Sequence, residues 1–143
     1  MFLKLTLILA TFFICRTTLN AQITNVRAVD YSAEKFRTEV AKKDHFVMFY
    51  TSWCIYSLEL MPTWDQLAST LNGSQIQIAK IDCDRYGRLC WQNSVTGYPT
   101  LKFFKAGQWQ GVKYMGNRRL HDMRNYIDEQ GELSSREYIF VGM

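Results

Sequence analysis

The sequence predicts an α/β fold in which a parallel core of strands and an antiparallel hairpin form one sheet flanked by helices. The first observation is "HFVMFYT", residues 45–51, an apolar run of strand length. Such a run is typical of a strand buried on both faces, as in a parallel sheet covered by helices. The second is the order of segments, βαβαβ(α)ββα, which predicts a parallel core with an added hairpin.

The first half of the chain supplies two strands and two helices. Residues 25–29 predict a short first strand, and Ser32 caps a helix over 33–43. A second helix begins at Cys54, and Pro62 should kink it because proline removes one backbone hydrogen bond. Residues that recur at helical spacing define the inward faces of both helices. They are Phe36 and Val40 in the first, and Leu60, Trp64, Leu67 and Leu71 in the second.

The second half completes the sheet and closes the fold. Asn72-Gly73 ends the second helix, "QIQIAKID" (75–82) is a strand, and 84–93 is a short helix or turn. Residues 100–105 and 112–115 predict strands joined through Ala106-Gly107. "RRLHDMRNYIDEQ" (118–130) predicts a closing helix that stops at Gly131, and 132–143 follows as a loose tail. The inward residues of that helix are Leu120, Met123 and Ile127.

The first 21 residues predict a secretory signal peptide. Residues 1–4 are a short basic start, 5–15 ("LTLILATFFIC") form an apolar block, and 16–21 end in the small residue Ala21. A membrane anchor is the alternative, but the block is shorter than the about 20 apolar residues that span a bilayer. Cleavage after Ala21 leaves 122 of the 143 residues, enough for one domain.

The composition argues against several classes of partner. The formal charge of +4 falls to +2 after cleavage, because the removed segment holds Lys4 and Arg16 and no acid. Such a small excess gives no basis for binding nucleic acid or a membrane surface. The aromatic content of 15% suits a packed globule, and no second apolar block is long enough to cross a membrane.

Three cysteines remain after removal of Cys15, an odd number in a compartment that permits disulfides. One pair plus one free thiol is the simplest partition, and we expect Cys83 and Cys90, seven residues apart, to pair. A zinc site is the alternative, but His45 and His121 are remote and single. Cys54 is then the free thiol, placed where a strand becomes a helix. The helix N-terminus, with its unbonded N–H groups and positive dipole end, favours the reactive thiolate.

Several stretches fall in an order that resembles thioredoxin domains: "HFVMFYTSWC", "KIDC", "VTGYPTLKFFKAGQ" and "YMGNRRLHDMRNYI". The resemblance runs from about Asn25 to Gln130. It is closest to the protein disulfide isomerase family, and within it to the thioredoxin-domain-containing proteins of the endoplasmic reticulum. It implies a thioredoxin fold over 22–131, no metal or organic cofactor, and unfolded or partly oxidised client proteins as partners, with glutathione as a further possible partner.

The resemblance also implies roles for individual residues. Cys54 matches the attacking cysteine, and Trp53 matches the aromatic residue beside it. Pro99 matches a cis-proline that faces the cysteine and, with Tyr98 and Thr100, shapes a groove for the client peptide. Ile55 and Tyr56 are expected to form a client-contacting rim. Ser57 stands where the family has the second cysteine, so its hydroxyl orients or hydrogen-bonds the sulfur but cannot form a disulfide.

Three departures from the family pattern predict a less activated thiol. They are Ile55-Tyr56 for the usual Gly-His, Leu58-Glu59 where basic residues are usual, and Met48 for a buried acid. We therefore expect Cys54 to titrate close to the ordinary value of about 8.5.

The predicted function is thiol–disulfide exchange on client proteins in the secretory pathway, through a single-cysteine C-x-x-S site that forms mixed disulfides. An inert Cys54, a non-catalytic client-binding or retention module, and a secreted extracellular ligand are the alternatives. The ending "YIFVGM" carries no retention signal of the Lys-Asp-Glu-Leu type, so both the endoplasmic reticulum lumen and secretion stay open.

Three further groups are interpreted from the sequence alone. Asn72-Gly73-Ser74 is a glycosylation sequon on a loop. Arg118, Arg119 and Arg124 are expected to form a solvated face of the last helix. His45 and His121 are expected at the surface.

Overall fold

The computed structural model describes the backbone of residues 26–141 and the side chains of residues 26–131. The predicted signal peptide lies outside these described residues. The strands are β1 (Val29–Asp30), β2 (Asp44–Tyr50), β3 (Ile76–Asp82), β4 (Thr100–Phe104) and β5 (Val112–Lys113). The helices are α1 (Ala33–Val40), α2 (Ile55–Thr70), α3 (Gly87–Gln92) and α4 (Leu120–Val141).

The five strands form one mixed sheet in the order β1-β3-β2-β4-β5. β1, β3 and β2 are parallel, whereas β4 runs antiparallel to β2, and β5 antiparallel to β4. β2 lies at the centre, so that Val47 is paired with Ala79 on one side and Lys102 on the other. The predicted parallel core with an antiparallel hairpin is confirmed.

Successive residues of β2 face opposite layers, which explains why the whole run is apolar. Phe46 and Met48 pack against α2 and α4, while Val47 and Phe49 pack against α1 and α3. The predicted inward residues of the helices are buried in these two cores, with Leu120 only partly buried. α2 includes Pro62, as the sequence predicts. No helix in the described part of the chain is long and apolar enough to cross a membrane.

The predicted first strand, residues 25–29, is wrong in its position. Pairing with β3 begins only at Val29, which lies opposite Ala79. The N–H of the preceding residue, Ala28, instead donates to Asp65 Oδ1 at 3.0 Å. A side chain of α2 therefore takes the backbone group that a longer strand would have paired.

The prediction that the last helix stops at Gly131 is also wrong, because α4 continues to Val141 through part of the predicted tail. A glycine ends a helix by adopting a positive φ. Among the described glycines, Gly73 at the end of α2 has φ +80° and Gly107 has φ +76°, but Gly131 does not adopt such an angle. Within a helix a glycine costs only about 1 kcal/mol relative to alanine.

His45 is buried, contrary to the expectation that it lies at the surface. The Tyr31 hydroxyl lies 2.9 Å from its Nε2, and Nδ1 lies 2.7 Å from the Lys43 carbonyl oxygen. Both ring nitrogens are thus satisfied inside the protein, which allows a polar ring to be buried at the start of β2. His121 is exposed, as expected.

Candidate thiol site

Cys54 lies at the N-terminus of α2, four residues after the end of β2. It is the N-cap residue, with extended backbone angles (φ −84°, ψ 114°) and no side-chain capping bond. Its carbonyl accepts from the N–H groups of Ser57 at 3.0 Å and Leu58 at 3.1 Å. The backbone thus starts the helix and leaves the sulfur available. Among the described cysteines, Cys54 is the free one, and it is partly exposed.

The surroundings of the sulfur favour the thiolate. The thiol donates to the Tyr98 carbonyl oxygen at 3.3 Å. The pKa of Cys54 lies below its ordinary value, chiefly because the Ser57 N–H faces the sulfur, and the Ser57 hydroxyl, the Tyr56 N–H and the Arg118 charge add to the effect. The expectation of an unshifted thiol is therefore wrong. The physical reason for the difference is that backbone N–H groups stabilise the negative sulfur, as a neighbouring basic side chain would.

Ser57 lies in the first turn of α2 and is 0% exposed. Its hydroxyl makes no hydrogen bond to any of the described residues, although it is close enough to Cys54 to lower that thiol's pKa. A buried hydroxyl without a partner is costly. It gains a charged acceptor when the sulfur loses its proton, which is why it favours the thiolate.

Exposed apolar side chains surround the thiol. Trp53 is 70% exposed, Ile55 59% and Tyr56 64%, and the latter two lie in the first turn of α2. The Trp53 ring meets the Tyr98 ring edge to face at 5.8 Å between centroids. Exposure of such apolar side chains to water is unfavourable, and their burial against a bound partner is favourable.

The opposite side of the site is the turn before β4. The Tyr98–Pro99 peptide bond is cis, as the resemblance implied. Thr100 begins β4, and its hydroxyl donates to the Gly97 carbonyl oxygen at 2.7 Å. This turn therefore faces Cys54 through the Tyr98 carbonyl oxygen.

Asp84 is a residue of the site that the sequence analysis missed. Its carboxylate accepts from the Ser52 N–H and hydroxyl, both at 3.0 Å, and from Trp53 Nε1 at 2.9 Å. These bonds hold the loop that carries Cys54, and they lower the pKa of Asp84. The available signal was its position after β3, because the carboxyl ends of parallel strands meet at one edge of the sheet.

Arg118 is misplaced in the prediction of a solvated helix face. α4 begins at Leu120, so Arg118 belongs to the loop after β5, and its Nη2 donates to the Pro99 carbonyl oxygen at 3.0 Å. Its charge also favours the Cys54 thiolate. Arg119 precedes the helix as well, whereas Arg124 lies in α4 and pairs with Asp128 at 3.1 Å.

The remaining predicted residues lie around this centre or away from it. Cys83 and Cys90 form a disulfide that joins the end of β3 to α3, beside Asp84. Met48 is fully buried in the core below the site. Asn72 is exposed after α2, remote in the chain from Cys54. In residues 26–131, no group of three or more histidine, cysteine or acidic side chains is arranged to hold a metal ion.

Comparison with known proteins agrees with this geometry. Residues 27–129 match the family described as Thioredoxin, so the predicted thioredoxin fold is confirmed. The chain is 38% identical over 104 residues to the Thioredoxin domain-containing protein 5 homolog of Drosophila melanogaster, covering 71% of this chain and 25% of that protein. It is 39% identical over 107 residues to Protein disulfide-isomerase 1 of Dictyostelium discoideum, covering 71% and 30%.

Solved structures give the same result. Human ERp44, in a zinc-bound form, has a TM-score of 0.66 at 25% identity, covering 73% of this chain and 30% of that one. The J-Trx1 fragment of ERdj5 has a TM-score of 0.66 at 27% identity, covering 72% and 51%. The chain thus spans less than a third of the length of the two curated relatives named above.

Proposed function

Because the chain belongs to the thioredoxin family, we propose that it exchanges thiols and disulfides with client proteins of the secretory pathway through Cys54. The observation that carries the proposal is a free, partly exposed thiol of lowered pKa at a helix N-terminus, facing the Tyr98–Pro99 turn. The names of relatives that are disulfide isomerases or endoplasmic reticulum proteins support the substrate class and the compartment.

The proposed step conserves electrons. The Cys54 thiolate attacks one sulfur of a client disulfide, a new bond forms between the two sulfurs, and the other client sulfur leaves as a thiolate. The Tyr98 carbonyl oxygen accepts a hydrogen bond from the Cys54 thiol, and once the thiol has lost its proton this oxygen is free to bind the client backbone. The exposed Trp53, Ile55 and Tyr56 supply apolar contact for the client segment.

Ser57 determines how the client is released. A cysteine at this position would attack the mixed disulfide and oxidise the domain itself, but a serine forms no disulfide. The client's own freed thiol, or an outside thiol such as glutathione, must therefore attack the adduct. This excludes net oxidation or reduction by the described thiols of the site and leaves isomerisation or prolonged retention of the client. Ser57 acts as a positioning residue that stabilises the Cys54 thiolate.

A non-covalent binding module is the second candidate function. The exposed apolar rim favours it, because Trp53, Ile55 and Tyr56 would hold an unfolded segment without any bond to sulfur. A secreted extracellular ligand would use the same surface. Covalent exchange and non-covalent binding differ in one property. Only covalent exchange gives disulfide-linked adducts that depend on Cys54.

The test expresses the full chain in secretory cells, blocks free thiols by alkylation, and separates proteins by non-reducing electrophoresis. We expect high-mass adducts with the wild type, none with Cys54→Ala, and fewer with Ser57→Cys, in which the second thiol releases the client. Adducts that are absent from the wild type, or that persist in Cys54→Ala, would refute covalent exchange and leave the binding module.

The same gels address three other proposals. We propose that residues 1–21 direct the chain to the secretory pathway, that the chain acts in the endoplasmic reticulum lumen or after secretion, and that Asn72 carries a glycan. N-glycosidase treatment should then increase mobility in the wild type but not in Asn72→Gln. The amounts recovered from cells and from medium distinguish the two locations.

A further inference from the structure

A depression of about 290 Å³ lies beside the glycosylation sequon at residues 72–74, at the opposite end of α2 from Cys54. All three residues of the sequon line it. The other walls are the segment before β1, with Val26 and Arg27, the residue before β2, Lys43, and the start of β3. The chemistry proposed for Cys54 uses none of these residues, so the depression requires a separate explanation.

Much of the lining is apolar. It includes Val29 of β1, Leu71 at the C-cap of α2, and Ile76 and Ile78 of β3. Leu71 and Ile78 are buried in the core, whereas Val29 and Ile76 are only partly buried. Covering the exposed part of such side chains is favourable, so the depression favours a ligand with an apolar face.

The charged part of the lining offers only hydrogen-bond donors. Its charged residues are Arg27 and Lys43, and none of the described residues that line the depression is acidic. Lys43 Nζ donates to Gln77 Oε1 at 3.1 Å and, as an ammonium group, has further N–H groups to donate. Because arginine and lysine side chains contain no acceptor, a ligand for this depression needs oxygen acceptors as well as an apolar face.

The turn that carries Asn72 leaves room for an attached group. Asn72 is exposed, and the next residue, Gly73, has φ +80°. A Cβ at Gly73 would meet nothing within 4 Å apart from its chain neighbours. The Ser74 hydroxyl donates to the Ile76 carbonyl oxygen at 3.2 Å and accepts from the Ile76 N–H at 3.3 Å, which holds the turn against the start of β3. Asn72 thus lies in a defined turn, with open space beside it and the depression next to it.

An N-acetylglucosamine ring has both properties that the lining requires. Its hydroxyl and N-acetyl oxygens accept hydrogen bonds, and the C–H groups of the ring form an apolar face. The volume of about 290 Å³ lies near the lower limit of the about 300–1,000 Å³ typical of small-molecule pockets, which suits one sugar rather than an extended glycan. A covalent link to Asn72 gives the sugar an effective concentration on the order of millimolar, so that weak contacts are sufficient to bind it.

We infer that this depression binds the first N-acetylglucosamine of a glycan attached to Asn72. The inference rests on the proposed glycosylation of Asn72 and not on the chemistry proposed for Cys54. The apolar face of the sugar covers Val29 and Ile76, and its oxygens accept hydrogen bonds from Lys43. The bound sugar joins the end of α2 to the edge strand β1 and thereby stabilises the fold.

The test uses the full chain, expressed in secretory cells whose glycans are kept in the high-mannose form by a mannosidase inhibitor. Endoglycosidase H cuts such a glycan after its first sugar and leaves a single N-acetylglucosamine on Asn72. The apparent Tm is then measured for three forms of the protein. They are the form with the whole glycan, the form with the single sugar, and Asn72→Gln, which carries no glycan at this position.

We expect the single-sugar form to melt with the whole-glycan form, about 3 °C above Asn72→Gln. Lys43→Ala should remove most of this difference between the single-sugar form and the form without a glycan, because the sugar loses its hydrogen-bond donor. Lys42→Ala is the matched control and should keep the difference. Lys42 is the preceding residue and pairs with Glu39 at 2.7 Å, outside the lining of the depression.

A second control moves the glycan to another part of the surface. In the Asn72→Gln chain, the pair Gln108→Asn and Gln110→Thr creates a sequon in the exposed loop between β4 and β5. The mobility of the protein on a gel confirms that this sequon is occupied. We expect this chain to melt with Asn72→Gln, because its glycan cannot reach the depression beside α2.

Each contrary outcome has its own meaning. A single-sugar form that melts with Asn72→Gln would show that the first sugar is not bound, and would overturn the inference. An equal rise in Tm from the moved glycan, or a difference that Lys43→Ala leaves unchanged, would overturn it as well. If endoglycosidase H does not change the mobility of the wild type, Asn72 carries no glycan. That result would refute the proposed glycosylation and the bound sugar together, while the exchange function at Cys54 would stand.

Discussion

At the residue scale, the site is a thiol whose charge is stabilised mainly by the backbone. The sequence predicted the positions of Cys54, Ser57 and Pro99, because each is fixed by its place in the chain relative to a strand or helix. It did not predict Arg118 or Asp84, since their contacts depend on loops that return to the site. It also misjudged the Cys54 pKa, because three side-chain departures from the family pattern were given more weight than the N–H groups at the helix N-terminus.

Replacing Ser57 by alanine should raise the pKa of Cys54. The hydroxyl favours the charged sulfur, so its removal weakens the thiolate and leaves the N–H groups in place. The rate of alkylation by iodoacetamide, measured against pH, should show its midpoint shifted upward and a slower reaction at neutral pH. Ser69→Ala, at the exposed far end of α2, is the matched control and should leave the profile unchanged. An unshifted midpoint in Ser57→Ala would contradict this role.

At the element scale, the sequence predicted which segments exist better than where they end. The pattern of apolar residues located both α2 and β2. It is a helical spacing in α2 and a continuous run in β2, and these residues are buried. The spacing of apolar residues does not show where the other elements, β1 and α4, begin or end. Asp65 of α2 takes the Ala28 N–H and shortens β1, and Gly131 is tolerated inside α4 because its backbone does not adopt a positive φ. Boundaries of this kind are set by tertiary contacts and backbone angles.

The Cys83–Cys90 disulfide joins β3 to α3, the two elements that flank Asp84. Replacing both cysteines by alanine should lower the free energy of unfolding by about 2–3 kcal/mol, the value expected for closing so short a loop in the unfolded chain. Urea denaturation of the full chain measures the loss. A reducing agent should cause a similar loss in the wild type and none in the double variant. Equal stability of the oxidised wild type and the double variant would contradict this account.

At the scale of the whole molecule, the central sheet separates two apolar cores, and nearly every titratable group lies at the surface. His45 is fully buried, with its ring held between the hydroxyl of Tyr31, which is also buried, and the Lys43 carbonyl oxygen. Burial lowers the pKa of His45, and the Lys43 charge adds to this, whereas the hydrogen bond to the Lys43 carbonyl oxygen and the charges of Glu39 and Asp44 act in the opposite direction. The burial of His45 thereby couples the stability of the fold to pH.

The sign of that coupling follows from the two states of the chain. In the unfolded chain His45 titrates near the ordinary value of about 6.5, and in the folded protein below it, so the unfolded chain binds more protons as the pH falls. As far as His45 is concerned, the free energy of unfolding is therefore highest above about pH 7. It decreases from about pH 6.5 downward, by at most about 1.4 kcal/mol per pH unit. Urea denaturation at pH 7.5 and pH 5.5 should therefore show a larger loss for the wild type than for His45→Gln. His121→Gln, which changes an exposed histidine, should behave as the wild type does. If the wild type and His45→Gln lose equal stability between these pH values, His45 is not the group that couples folding to pH.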